Sequence, residues 1–450
     1  MKNKKLVNLR KKINLLDDGI LDLLRQRAEI VKNIGKYKNS KKNIIDLKRE
    51  EKVIERLISN NKTKYSKDSI VRIWRELFQA STNLQKDDDK KINTKRSINN
   101  IKIYKGGKSS VAGKKNIIKL SSNENSYGPT QNLKKLVDKK KFYLNSKRYP
   151  DIDGIELRKF IGKFYNIDFT RIVLGCGSDE NLLFAALAFC QDGDEIIHSE
   201  HGFEMYSIIS KIVGATIKNA KEDKDYNLSI NSICNSITVA TKLIYLANPN
   251  NPTGTYLSKD FIVKLMKKIP NNIIVVLDGA YAEYVMQPDY DKGFSLVDKF
   301  HNLIITRTFS KVYGLAGLRI GWCYSSKKVA KILNKVKGPF NTTSIAQEMA
   351  ISALKDQKHI KKIVQLNLEV KTWFEKELHK LNINTKKTEG NFSFIKTTKD
   401  KARKIANHLA SSGIIVRQLD SYNLPNCLRI TIGTKKEMKI TIDQLKNLKC

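Results

Sequence analysis

Lys311 stands in the middle of Arg307–Gly321, which reads RTFSKVYGLAGLRIG. The chain has 84 lysines and arginines, so a lysine by itself indicates only a solvated surface. Its companions make it more than that. Asp278 directly follows five apolar residues in IIVVLDGAY, which makes its carboxylate part-buried and in need of a cation. Asn251 lies in NPNNPTG, after LIYLA, and Tyr281 comes three residues beyond Asp278. In LGCGSDEN, Gly175 and Gly177 permit a tight turn, and Ser178 and Asp179 open a helix whose first amides can hold a phosphate. Arg319 follows Lys311 by eight residues. Each piece alone is explained as a turn, a helix cap or a surface charge. Jointly they supply an amine, a buried carboxylate, a phenol, an amide and a phosphate cradle.

The elements that must position these groups are short apolar strands: RIVLG, DEIIHS, TKLIYLANP, NIIVVLD, NLIITRT and RIGWCYS, with helical segments between them. The alternation predicts a mostly parallel sheet with helices on both faces. In such sheets ligands bind past the strand C-termini, and the polar motifs fall there. Pyridoxal phosphate uses all five of the assembled groups, so its site is expected here. From about residue 325 a long helix leads into a smaller α+β region.

The first part of the chain differs. Leu6, Leu9, Ile13, Leu16, Ile20, Leu23, Leu24, Ile30, Val31 and Ile34 fall near helical spacing, predicting one helix over 5–38. A second is predicted from about 46 to 59 and a third from about 67 to 84, with no strand signal. Residues 86–115 are polar, with glycines and mixed charge, and predict a connector. The expected organisation is multidomain: an all-α helical domain at 1–86, a linker and arm at 87–115, and an α/β unit at 116–450. That unit divides into a large part at about 150–325 and a small one at 326–450.

Residues from about 97 to 450 resemble fold-type I aminotransferases, and most closely the histidinol-phosphate aminotransferase family. Ten ordered motifs carry the resemblance: KLSSNENSYGP, KRYPD, GSDE, HGFEMY, NPNNPTG, LDGAY, RTFSK, AGLRIG, GIIVRQ and LRITIGT. The resemblance implies that Lys311 bonds the cofactor aldehyde and later shuttles the substrate proton. It implies that Asp278 pairs with the protonated pyridine nitrogen, and that Asn251 and Tyr281 bond the ring hydroxyl. Phe203 would stack on the ring. Ser178, Asp179, Thr308, Ser310 and Arg319 would surround the phosphate, with Tyr149 reaching in from a partner subunit. Arg429 would take a substrate carboxylate, with Arg417 and Tyr127 at the substrate's other end. Two departures from the family pattern are Gly279, where an acidic residue is common, and Ser126, where a proline is common.

The first part resembles the all-helical chorismate mutase family through LRKKINLLDDGILDLLRQR, GKYK, IIDLKREEKVIERLI and the Ser81–Gln85 segment. Rearranging chorismate to prephenate calls for a cationic pocket that holds a compact conformer, not for a covalent catalyst. The resemblance implies that Arg27 and Arg49 grip carboxylates and that a partner chain donates Arg10. Lys38 and Gln85 would bond the ether oxygen, and Glu50 and Asp46 would position the hydroxyl region. The implied assembly is a homodimer. The implied whole is a fusion that makes prephenate and transaminates imidazole acetol phosphate, an aromatic 2-oxo acid, or both, with glutamate as donor.

Other classes fit less well. The net charge of +39 raises nucleic-acid binding, and residues 1–85 carry 22 basic and 10 acidic groups. A regulator with a winged helix-turn-helix would need short helices and a β-hairpin, and neither is predicted, so no nucleic-acid partner is expected. A non-catalytic helical module, or decarboxylation on the same fold, would leave the cofactor motifs unchanged. No apolar run is long enough to cross a membrane, and Asp17 and Asp18 break the stretch that could imitate a signal peptide. The six cysteines are scattered without a C-x-x-C pair, which fits a reduced, cytoplasmic protein. No metal-ligand spacing is present.

Overall fold

A computed structural model describes residues 2–37, 46–84, 96–99, 101, 103–104, 110–111, 113–114, 116–133 and 147–448. The chain divides into two compact units, Met1–Asn99 and Asn100–Cys450.

In the first unit the described elements are helices: α1 (Lys2–Tyr37), α2 (Leu47–Ser59) and α3 (Lys67–Leu84), then one turn at Arg96–Asn99. Both α1 and α2 pack on α3. Val31, Ile70, Val71 and Phe78 are buried there. Asp46 caps α2, its carboxylate accepting from the Arg49 amide at 3.0 Å. Most of the apolar stripe of α1 stays exposed within the unit: Leu15 is 72%, Leu16 68% and Leu23 66% accessible.

The second unit holds two sheets. The larger has seven strands in the order β2-β8-β7-β6-β5-β3-β4. They are β2 (Ile172–Gly175), β3 (Glu195–Ser199), β4 (Thr216–Ala220), β5 (Thr241–Ala247), β6 (Ile274–Asp278), β7 (Leu303–Thr308) and β8 (Gly321–Ser325). Only β8 runs against its neighbours; β3–β7 pair in parallel. The six strands expected from sequence are all present. The addition is β4, whose TIKNA sequence carries too little apolar signal; it lies at the sheet edge, and only Ala220 of it is buried.

The continuous apolar runs reflect burial on both faces. Ile244, Leu246, Val275 and Leu277 pack into one core layer. Leu243, Tyr245, Ile274 and Val276 pack into the layer on the other side of the sheet. This two-residue alternation fixes which side chain can face the ligand end.

The smaller sheet has the order β1-β11-β12-β10-β9. Its strands are β1 (Ile118–Leu120), β9 (Thr385–Lys386), β10 (Phe392–Lys396), β11 (Ile414–Leu419) and β12 (Leu424–Thr431). The strand β1 pairs in parallel with β11, Leu120 opposite Val416. The small sheet thus draws an edge strand from the segment that precedes the large part in sequence. Helix Gln357–Lys380 runs from the large part to the small.

Candidate active site

The strands β2, β5, β6 and β7 all point the same way, and their C-terminal ends surround a cavity of about 290 Å³. Asp278 is the last residue of β6 and is 4% exposed. Its two oxygens accept from the Tyr206 hydroxyl at 2.9 Å and the Thr306 hydroxyl at 2.9 Å. Burial pushes its carboxyl up from the usual carboxylate range, while those two hydrogen bonds pull it back down. No cation contacts it among the described residues, although a buried carboxylate calls for one.

Lys311 follows β7 and faces the same cavity. Its Nζ donates to the Ser122 carbonyl at 3.1 Å and lies 5.5 Å from the Tyr281 ring centre. The Tyr281 hydroxyl accepts from Asn123 Nδ2 at 2.9 Å. Asn123 takes a positive φ of 55° and is locked by Thr431. The segment after β1 therefore brings Ser122 against the lysine and Asn123 against Tyr281.

At the far end, helix Ser178–Phe189 begins at Gly177 with no side-chain cap, so its first amides are available to an anion. Thr308 donates to Ser310 at 2.9 Å, and Arg319 Nη1 donates to the Ser310 hydroxyl at 3.3 Å. Arg319 also meets Asp179 at 3.4 Å. A Cβ on Gly177 would sit 2.4 Å from Arg319 Nη2, and one on Gly321 would sit 2.5 Å from the Ser178 nitrogen. The cradle closes only with glycine at both positions.

Of the cofactor residues expected from sequence, Phe203, Asn251, Asp278, Tyr281, Lys311 and the phosphate-end set all line this cavity, as do Arg417 and Arg429. Arg429 is 5% exposed and donates to Asn251 Oδ1 and, at 2.9 Å, to the Ser121 carbonyl. Its Nε is buried without a partner. Arg417 meets Glu204 at 3.3 Å. Two expected residues lie outside the cavity of this chain. Tyr149 is 81% exposed and stacks on Phe340 with ring centres 4.6 Å apart. Tyr127 is half-buried, its amide held by Asn125 Oδ1 at 3.0 Å.

The sequence reading missed Tyr104, Tyr206, Thr306 and Asn123. Tyr206 sits one helical turn beyond Phe203, and Thr306 lies two residues before Thr308 on the same strand face; these spacings were legible. Tyr104 lines the cavity too, although no motif in the sequence marks it.

Gly279 has a local explanation. Arg307, fully buried, donates to the Gly279 carbonyl at 3.0 Å, and a Cβ on Gly279 would lie 2.6 Å from Arg307 Nη1.

In the helical unit, Arg27 of α1 donates to the Ser81 hydroxyl of α3. Asp46 holds the α2 cap, Arg49 is exposed on α2 and Glu50 is half-buried. Arg10 is exposed on α1. It lies seventeen residues before Arg27, about 25 Å away along one helix. Lys38 and Gln85 lie outside the described residues.

Comparison with known proteins agrees with the two folds. Residues 115–445 match the family model of class I and II aminotransferases, and residues 9–86 match that of type II chorismate mutase. A histidinol-phosphate aminotransferase of Pelagibacter ubique is 43% identical over 340 residues, covering 75% of this chain and 94% of that protein. One from Roseobacter denitrificans is 40% identical over 361 residues, covering 80% and 99%. The crystal structure of a Sinorhizobium meliloti histidinol-phosphate aminotransferase in complex with pyridoxal 5′-phosphate superposes with a TM-score of 0.70 at 24% identity, covering 75% of this chain and 92% of that one. The chain belongs to the class I and II aminotransferases. It is an enzyme in which a chorismate mutase domain is fused ahead of a pyridoxal phosphate-dependent aminotransferase of fold type I.

The residues present fit that cofactor. The cavity offers a buried carboxylate lacking a cation at one side, an amine and a phenol in the middle, and hydroxyls, helix amides and a guanidinium at the other end.

Proposed function

We propose that the aminotransferase acts on histidinol phosphate and imidazole acetol phosphate, on an aromatic amino acid and its 2-oxo acid, or on both pairs, with glutamate as donor. The observation that carries the substrate reading is the pair Arg417 and Arg429 in the same cavity as Lys311. Arg429 is buried, with two donors engaged and Nε unpaired, and is suited to a carboxylate. Arg417, with Tyr104 beside it, suits a phosphate or a second anionic group. The named relatives support histidinol phosphate; the fused mutase supports an aromatic 2-oxo acid.

When bound, pyridoxal phosphate supplies an electron-withdrawing ring that stabilises negative charge at the substrate Cα. Asp278 holds the cation of that ring, with Tyr206 and Thr306 fixing the carboxylate. Asn251 and Tyr281 orient the ring hydroxyl and Phe203 covers a face. Ser178, Asp179, Thr308, Ser310 and Arg319 hold the phosphate, with Tyr149 of a partner subunit completing that end. Lys311 carries the proton away from Cα and returns it. Tyr127 contributes to the substrate side.

In the helical domain, Arg27, Arg49 and a partner's Arg10 bind the chorismate carboxylates. Lys38 and Gln85 bond the ether oxygen, and Glu50 and Asp46 orient the hydroxyl region. No group is transferred: one carbon–oxygen bond breaks as one carbon–carbon bond forms within the substrate. The separation of Arg10 and Arg27 along one helix supports a pocket that takes Arg10 from a second chain. The uncovered Leu15, Leu16 and Leu23 support burial of α1 against a second copy. The assembly we propose is a homodimer with small-molecule substrates. Unpaired thiols at Cys176, Cys190, Cys234, Cys323 and Cys427 support a reducing, cytoplasmic setting.

The test is the amino-donor half-reaction on the pyridoxal form. L-histidinol phosphate, L-phenylalanine, L-tyrosine and L-arogenate are added separately while the visible absorbance of the bound cofactor is followed. Fast conversion by an aromatic amino acid or arogenate means that the mutase feeds the transaminase. Conversion by histidinol phosphate alone means that the domains serve different pathways. Conversion by none of them overturns the substrate reading.

A further inference from the structure

A second cavity, of about 440 Å³, shares no lining residue with the one that holds Lys311. Its walls are aromatic and apolar: Phe164, Tyr165, Met286, Tyr313, Ile360 and Val364. Phe164 and Met286 are 38% and 61% exposed, so the apolar wall reaches the surface. Tyr165 and Tyr313 turn their hydroxyls toward each other at 3.2 Å, and burial raises both phenols far out of the ionising range.

Three charged groups line this space: Glu283, Lys292 and, on helix Gln357–Lys380, Lys361. The Glu283 side chain is only 8% exposed, and its ion partner, Arg307, stands 4.0 Å away, beyond hydrogen-bond reach. Lys292 lies over the Tyr165 ring at 5.7 Å. Among the described residues neither the Glu283 carboxylate nor the Lys292 ammonium has a hydrogen-bond partner. A carboxylate wanting donors and an ammonium wanting acceptors, set on one aromatic-walled cavity, match a molecule that carries both charges and an apolar body.

We propose that this cavity binds an α-amino acid with an aromatic or large apolar side chain in its zwitterionic form. The ammonium bonds Glu283, the carboxylate bonds Lys292, and the side chain lies against Phe164, Tyr165 and Met286. The site is tied to the catalytic loops: Glu283 lies two residues past Tyr281, and Tyr313 two past Lys311. It does not depend on which substrates the transaminase uses.

The experiment is equilibrium dialysis of L-phenylalanine against the cofactor-loaded full chain, beside Lys292→Gln and Met286→Glu. Occupancy of the active site, if any, is common to all three proteins. Both variants are expected to keep transamination, which shows that they fold. The expected result is one more equivalent of L-phenylalanine per wild-type chain than per chain of either variant. Phenethylamine, which lacks the carboxylate, and 3-phenylpropanoate, which lacks the ammonium, should bind there at least tenfold more weakly. Equal stoichiometry in all three proteins overturns the proposal. So does undiminished binding of either one-charge analogue at this site.

Discussion

Tyr206 donates its phenolic hydrogen to Asp278 at 2.9 Å, with both groups buried. The Tyr206 ring stacks on Tyr245 at 4.7 Å between centres, so the donor is fixed before any ligand arrives. Asp278 ends β6, and Thr306 approaches its other oxygen from β7. The carboxylate is thus aimed by two strands and a helix.

Tyr206→Phe should remove one donor and leave the fold intact. Hydrogen bonds to charged groups contribute about 1.5–3 kcal/mol, so cofactor retention should weaken roughly 10- to 100-fold. Titration of the cofactor-free protein with pyridoxal phosphate measures it. Unchanged affinity would show that Thr306 alone suffices.

On the role proposed for Arg27, Arg27→Ala should lower conversion of chorismate by roughly 100-fold or more. Lys38→Ala should abolish prephenate formation. Amino transfer should be unchanged in both. Assaying both reactions on each variant separates independent sites from a general loss of folding.

Gly279→Glu should restore the acidic residue common in the family yet damage this chain. A Cβ there already meets Arg307 Nη1 at 2.6 Å, and Arg307 has no space to retreat, being buried against Phe294. Overpacking of this kind costs about 1–3 kcal/mol. Thermal unfolding should show the loss. Smaller damage in a double variant that also carries Arg307→Ala would confirm the pair as the cause.

His198 should make the protein acid-sensitive. Burial lowers its pKa, and its ring sits between the Ser199 carbonyl at 2.7 Å and the Ser207 hydroxyl at 3.2 Å. A folded pKa below the unfolded value of about 6.5 means that stability is full above that pH. Stability is then lost as pH falls from there through the lowered folded value. Unfolding temperatures across pH 5–8 should therefore drop more steeply for the wild type than for His198→Gln on the acid side.

The strands of the large sheet were legible because burial on both faces leaves unbroken apolar runs, as in Ile274–Leu277. The three N-terminal helices were legible from period and from Asp46 at a helix start. What was not legible was long-range. The edge strand Thr216–Ala220 is half-covered and mostly polar. The pairing of Leu120 with Val416 joins residues almost three hundred positions apart. Tyr104 lines the cavity without any local motif to mark it. The engagement of Arg417 by Glu204 likewise depends on how helix Glu204–Ile212 meets β11. Motif order picked out residues that the fold gathers into one cavity, whereas the contacts that hold them there were set by packing.

The most direct test of the account is to measure both reactions on one preparation of the full chain and on Lys311→Ala. The account predicts that Lys311→Ala converts chorismate at the wild-type rate, loses the visible absorbance of the lysine-bound cofactor, and slows amino transfer by at least about 10³-fold. Retained amino transfer in Lys311→Ala would contradict it.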